Sequence, residues 1–213
     1  MKIVPSVASA NPLRLAYEME RLGKVSMLHI DIEDGNFVPN ITFGMKTLKE
    51  IARVGSAGLD VHLMAIAPER YLIDLPANGV KSVCAQIEAL PYPSQFLNKV
   101  KSHEMRAGLA LNLVTPLDVL RPFTHLLDYV LLMTSEPDEA GCLWNHSSFE
   151  RLRAARGMLP PSVALWADGG INRTQIKDIC RCGVDGVIAG RAVWDAEDPA
   201  KRLHELEKLS ADA

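Results

Sequence analysis

The chain has 213 residues, 48% hydrophobic and 23% charged, with 23 basic and 26 acidic side chains giving a formal charge of -3 at pH 7. This is the balance of an ordinary globular protein, long enough for one sizeable core and expected as a single domain over residues 1–213. It excludes the general attraction that nucleic acid or an anionic membrane surface requires, and no basic run interleaved with aromatics occurs.

Pro5 interrupts the first apolar stretch, and no segment reaches the roughly 18 apolar residues of a membrane helix. The expectation is a cytoplasmic protein without a signal peptide or membrane partner. Cys84, Cys142, Cys180 and Cys182 are irregularly spaced and form no Cys-x-x-Cys pair, which argues against a disulfide framework or a structural zinc site.

Continuous apolar runs predict eight strands, at residues 2–8, 25–32, 58–64, 80–87, 107–112, 127–133, 163–168 and 184–189. Runs without alternation suit parallel strands covered on both faces. Helix signals separate most of them. Asn11-Pro12 opens a helix that Gly23 ends, Thr115-Pro116 opens another, Asn172 to Gly183 brackets a third, and Asp198-Pro199 begins the last. The longer intervals at 33–57 and 134–162 leave room for extended loops after strands 2 and 6. Eight strand–helix alternations predict a closed (β/α)8 TIM barrel, α/β in class, and an open doubly wound sheet shares the same local grammar.

The C-terminal ends of three of these runs carry His29 and Asp31, His62, and Asp168. Side chains at i and i+2 of a strand share a face, so His29 and Asp31 project together. In a barrel, strand 7 stands nearly across the mouth from strand 2, and catalytic groups gather at this end. Two histidines and two carboxylates suit one divalent metal ion, whether zinc, iron(II), manganese or cobalt. An ion beside a carbonyl, with an acid or base on either side, suits inversion of the neighbouring carbon. A lone buried His or Asp is more often structural than functional; four together at one end of separate strands point to a site.

The chain resembles the ribulose-phosphate 3-epimerase family over nearly its whole length. The matching segments are Val4-Pro5-Ser6-Val7-Ala8-Ser9-Ala10, His29 through Asp31, Asp34-Gly35, Phe37-Val38-Pro39-Asn40-Ile41-Thr42 to Gly44, and Asp60-Val61-His62-Leu63-Met64. Further on they are Pro68-Glu69-Arg70-Tyr71, Asn112 with Thr115-Pro116-Leu117, Asp168-Gly169-Gly170 and Ala189-Gly190. The resemblance implies that His29, Asp31, His62 and Asp168 ligate the metal and that Asp31 and Asp168 are also the acid/base pair. It implies that Ser6 contacts the substrate, that Met64 and Met133 line the cavity beside an enediolate, and that Gly169 and Gly170 border it. The implied reaction interconverts D-ribulose 5-phosphate and D-xylulose 5-phosphate at C3, in a protein that is commonly a homo-oligomer and takes a small sugar phosphate.

The departures concern phosphate and cavity. Where the family usually has the Gly-rich loop Asn-Pro-Gly-Phe-Gly-Gly-Gln, this chain has Glu136-Pro137-Asp138-Glu139-Ala140-Gly141-Cys142, keeping only Gly141 as a candidate contact. After strand 8, Arg191 replaces a small hydroxyl residue, so Gly190 and Arg191 become candidate phosphate ligands; Arg191 paired with Asp138 or Glu139 is the alternative. Glu33 stands in place of a cavity-lining Met, and Gln86 in place of a His. The expected function is a metal-dependent ketose-phosphate 3-epimerase. A metal-dependent lyase on a sugar phosphate and a non-catalytic sugar-phosphate binder are the alternatives.

Overall fold

The computed structural model describes residues 1–136 and 144–213. Its strands are β1 (Lys2–Pro5), β2 (Met27–Glu33), β3 (Gly58–Met64), β4 (Val80–Gln86), β5 (Arg106–Leu111), β6 (Tyr129–Met133), β7 (Ala164–Asp168) and β8 (Gly186–Ala189). All pair in parallel, in the order β1-β8-β7-β6-β5-β4-β3-β2. A parallel bridge between Ser6 and His29 joins the two ends of that order. The ring is therefore closed, and the open doubly wound alternative is set aside: the fold is a (β/α)8 barrel.

The strands lie where the apolar runs place them, most with trimmed ends, while β2 reaches one residue further, to Glu33, and β5 starts one residue earlier, at Arg106. The first stops at Pro5 because the chain turns at Ser6 into a 3-10 helix, Val7–Ser9. The sixth starts at Tyr129, since the Asp128 carboxylate accepts the Ala107 N–H at 2.8 Å in place of a ladder bond.

The outer layer is α1 (Leu15–Leu22), α2 (Met45–Val54), α3 (Pro93–Ser102), α4 (Ser148–Met158), α5 (Ile176–Arg181), α6 (Arg191–Trp194) and α7 (Pro199–Ala211). The start and stop signals act at the expected residues, although Asn11 caps a 3-10 helix, Pro12–Arg14, that leads into α1. Asn11 accepts from Leu13 N at 3.0 Å, Gly23 N donates to the Met19 and Glu20 carbonyls, and Asp198 accepts from Lys201 N at 2.9 Å. The helix expected after Thr115-Pro116 is instead a 3-10 helix, Leu117–Phe123, because the ring of Pro122 inside it would clash with the Asp118 carbonyl of an α-helix. None of the described helices is long and apolar enough to cross a membrane.

Two apolar layers hold the barrel. Outward-facing strand residues such as Ile30, Val61, Val83, Leu109 and Val187 pack against helix residues such as Leu48, Phe96, Leu152 and Leu206. Inside, Val4, Cys84, Ala110, Tyr129, Leu131, Trp166 and Ile188 fill the centre. A Cβ at Gly108 would lie 2.7 Å from the Tyr129 ring, so the missing side chain on β5 is what lets a full phenol lie inside. Burying such side chains contributes about 1.5–3 kcal/mol each. The aromatic floor leaves the C-terminal mouth to polar groups.

Candidate active site

Strand parity and register bring the four expected ligand residues to one place. His29, Asp31 and Glu33 share the inner face of β2, and Asp60, His62 and Met64 that of β3. In register, His29 stands beside Asp60, Asp31 beside His62, and Glu33 beside Met64. Asp168, the last residue of β7, comes from across the mouth. One donor atom from each of His29, Asp31, His62 and Asp168 lies within 4.8 Å of the others. Among the described residues this is the only group of His, Cys, Asp and Glu arranged to hold a metal ion.

The two oxygens of Asp31 have different company. Oδ2 accepts the Ser6 hydroxyl at 2.7 Å, while Oδ1 faces His29 Nε2 at 3.2 Å and His62 Nδ1 at 3.4 Å. Burial works against the charge on Asp31, but His29 and His62 outweigh it and hold the carboxyl well below the usual carboxylate range. Asp168, whose Oδ2 is 3.9 Å from His29 Nε2, goes the other way. Burial and the Asp31 charge push it up to about 6. The pair thus offers one firm carboxylate and one carboxyl able to carry a proton. Burial opposes a charge on His29 as well, yet Asp31 and Asp60 together raise its pKa well above the ordinary value.

The residues fit a divalent metal. His62 is fully buried, and neither of its ring nitrogens has a hydrogen-bond partner among the described residues. A buried imidazole that makes no hydrogen bond, with only the 3.4 Å approach of Asp31 Oδ1 to its Nδ1, is costly unless something else takes its lone pair. Two imidazoles and two carboxylates are hard-to-borderline donors suited to zinc, iron(II), manganese or cobalt.

The remaining expected site residues surround this cluster unevenly. Met64 and Met133 are buried at the ends of β3 and β6, on the inward faces, and Met133 is in register with Asp168. Gly169 has φ +113°, and a Cβ there would collide with Ser135, so the turn after Asp168 depends on glycine; Gly170 follows at φ +64°. Gly190 precedes α6, and exposed Arg191 has no ion pair among the described residues. Gly141, with Asp138 and Glu139, lies outside the described residues. Glu33 is buried, and its carboxylate accepts from Asn40 Nδ2 at 3.0 Å, so the departure from a cavity-lining Met points inward. Gln86 is fully buried beside Glu88 and the Ala110 carbonyl.

Residues 2–194 match the family model described as "Ribulose-phosphate 3 epimerase family". The chain belongs to the ribulose-phosphate 3-epimerase family. It is 31% identical to the ribulose-phosphate 3-epimerase of Bacillus subtilis (strain 168), over 97% of this chain and 98% of that one. Likewise it is 32% identical to that of Aquifex aeolicus, over 90% and 87%, and 31% identical to that of Escherichia coli K12, over 96% and 93%. Among solved structures the chain is similar to KGPDC from Streptococcus mutans, at TM-score 0.74 and 11% identity over 99% and 97% of the two chains. Thiamine phosphate pyrophosphorylase from Pyrococcus furiosus gives TM-score 0.67 and 19% identity over 99% and 96%. At those identities the structures share the fold alone.

The sequence reading overlooked one group in this epimerase-family site. Asp60 on β3, Ser82 on β4 and Tyr129 on β6 form a buried hydrogen-bonded set directly behind His29. The available signal was parity: Asp60 is two residues before His62, a carboxylate within an apolar strand and on its inward face.

Proposed function

We propose that this protein inverts C3 of a ketose phosphate, interconverting D-ribulose 5-phosphate and D-xylulose 5-phosphate or a close relative, by proton transfer between two carboxyls. The observation that carries the reading is the cluster of His29, Asp31, His62 and Asp168, with its two carboxyls contributed from opposite sides of the mouth. Membership of the epimerase family and the names of its relatives support the substrate class.

A divalent ion held by these four residues would supply a Lewis acid that favours negative charge on the substrate carbonyl oxygen. The residues account for the proton movements. With the C2 carbonyl toward the cluster, Asp31 takes the C3 proton from one face as the electron pair moves onto the C2 oxygen. Asp168 then gives a proton to C3 from the other face, and the pair returns to carbon. The reverse reaction exchanges the roles. The opposite shifts leave Asp31 ionised and Asp168 able to hold a proton, the protonation states from which this direction starts. Ser6 fixes the orientation of Asp31, and Met64 and Met133 present apolar, polarisable surface that keeps water from C3.

We assign the phosphate to the turns after β7 and β8, which carry Gly170, Gly190 and Arg191, the last an exposed residue at the start of α6. Glu33 and Gln86 bear on which ketose is preferred, since each places a polar group where the family pattern differs. Chelation is expected to abolish C3 inversion, and one divalent metal to restore it, in an assay across pentulose and hexulose phosphates. Full activity in a chelated, metal-free preparation overturns the reading.

A further inference from the structure

We infer that Asp60 is a positioning residue, which holds a ring proton of His29 on Nδ1 and so leaves Nε2 as the nitrogen that a metal takes. The inference rests on the proposed metal site and deepens it. Asp60 stands in register beside His29 on one side and Ser82 on the other, and His29, Asp60, Ser82 and Tyr129 are all at least 97% buried. Its Oδ1 receives two hydroxyl donors, Ser82 Oγ and Tyr129 OH, the latter at 2.9 Å. That leaves Oδ2 for His29 Nδ1, at 2.7 Å.

An ionised carboxylate only accepts, so His29 Nδ1 must carry the hydrogen that bridges to it. Nε2, on the far side of the ring, then points to Asp31 Oδ1 and Asp168 Oδ2, into the cluster. A ligating imidazole usually donates its other N–H to a carboxylate in this way. Here the carboxylate is itself oriented by donors from two further strands, β4 and β6. A purely structural role for Asp60, tying the barrel wall together, would not depend on which atom faces His29.

Replacing Asp60 by Asn separates the two roles. Asn has the same shape, and the Ser82 and Tyr129 hydroxyls would hold its amide oxygen where Oδ1 was. Its NH2 then faces His29 Nδ1, which must become an acceptor, and the proton is left on Nε2, where it blocks a metal. Asp60→Asn together with Ser82→Ala and Tyr129→Phe removes the donors that orient the amide. Its oxygen is then able to turn toward His29.

The test uses the full chain, 15N-labelled at histidine, with zinc alone as the probe. Wild-type protein is expected to show His29 Nδ1 protonated in long-range proton–nitrogen spectra; an unprotonated wild-type Nδ1 overturns the assignment regardless of how any variant folds. Asp60→Asn is expected to remove that proton and to weaken zinc binding about 10- to 100-fold in competition with a chromophoric chelator. The triple variant is expected to recover both the Nδ1 proton and most of the affinity. Unchanged zinc affinity in Asp60→Asn, or lost affinity with Nδ1 still protonated, overturns the positioning role. Absence of stoichiometric zinc binding by the wild type counts against the metal-site reading instead, and the Nδ1 proton then judges Asp60 alone.

Discussion

The Ser6 hydroxyl donates to Asp31 Oδ2 across 2.7 Å, from the turn after β1 onto the inner face of β2. This contact leaves Oδ1, the oxygen nearest the two histidines, as the one directed at the cluster. The Ser6 carbonyl is in turn held by Trp194 Nε1 at 2.6 Å, which ties the same turn to α6.

Removing that hydroxyl should loosen Asp31. A hydrogen bond to a charged group contributes about 1.5–3 kcal/mol, so Ser6→Ala is expected to lower kcat/KM about 10- to 100-fold. Steady-state kinetics check this, and an unchanged kcat/KM would mean that Asp31 is held without Ser6.

Metal affinity should rise with pH. His29 has a raised pKa and Asp168 one of about 6, so at low pH both carry protons that an incoming ion must displace. Each proton competes with the ion at pH values below its own group's pKa, so affinity falls as pH drops through the raised pKa of His29 and falls more steeply below about 6, where Asp168 joins it. Each displaced proton changes apparent affinity about tenfold per pH unit. Zinc titrations across this range measure the slope, and a flat profile contradicts the assignment.

Asp168→Asn should separate the two proton transfers. Loss of one acid/base group is expected to lower epimerisation about 10²- to 10⁴-fold. Asp31 remains, so the variant is expected to exchange the C3 hydrogen of only one of the two epimers with solvent. Exchange of both epimers at wild-type rates would remove Asp168 from the mechanism.

Arg191→Ser is expected to raise KM for phosphorylated substrates with little effect on kcat, since a guanidinium on the remote phosphate binds ground and transition states alike. Steady-state comparison on one ketose phosphate checks it. An unchanged KM would leave Arg191 as a surface residue.

Much of this site is legible in the sequence because strand parity is a strong constraint. Once β2 is read as a strand, His29 and Asp31 must share a face, and the C-terminal ends of β3 and β7 bring His62 and Asp168 to the same mouth. Glu33 lies one residue beyond the strand read from the sequence at 25–32, so parity left its direction open, and its contact with Asn40 depends on how the loop after β2 folds back. The Asp60 network was missed for a related reason. Asp60 gains its partners only when β4 and β6 are set beside it in register, and Gly108 has to clear room for Tyr129. Closure through the Ser6–His29 bridge likewise depends on strand stagger rather than on any local pattern. The 3-10 helix at Leu117–Phe123 shows local chemistry prevailing over a helix start signal, with Pro122 deciding the outcome.

The central claim is proton transfer at C3 by two opposed carboxyls, and the most direct measurement is proton NMR of D-ribulose 5-phosphate incubated with the metal-loaded protein in deuterated water. The expected result is D-xylulose 5-phosphate carrying deuterium at C3. Epimer formed with its original C3 hydrogen wholly retained, or no loss of that hydrogen with any divalent metal, would contradict the account.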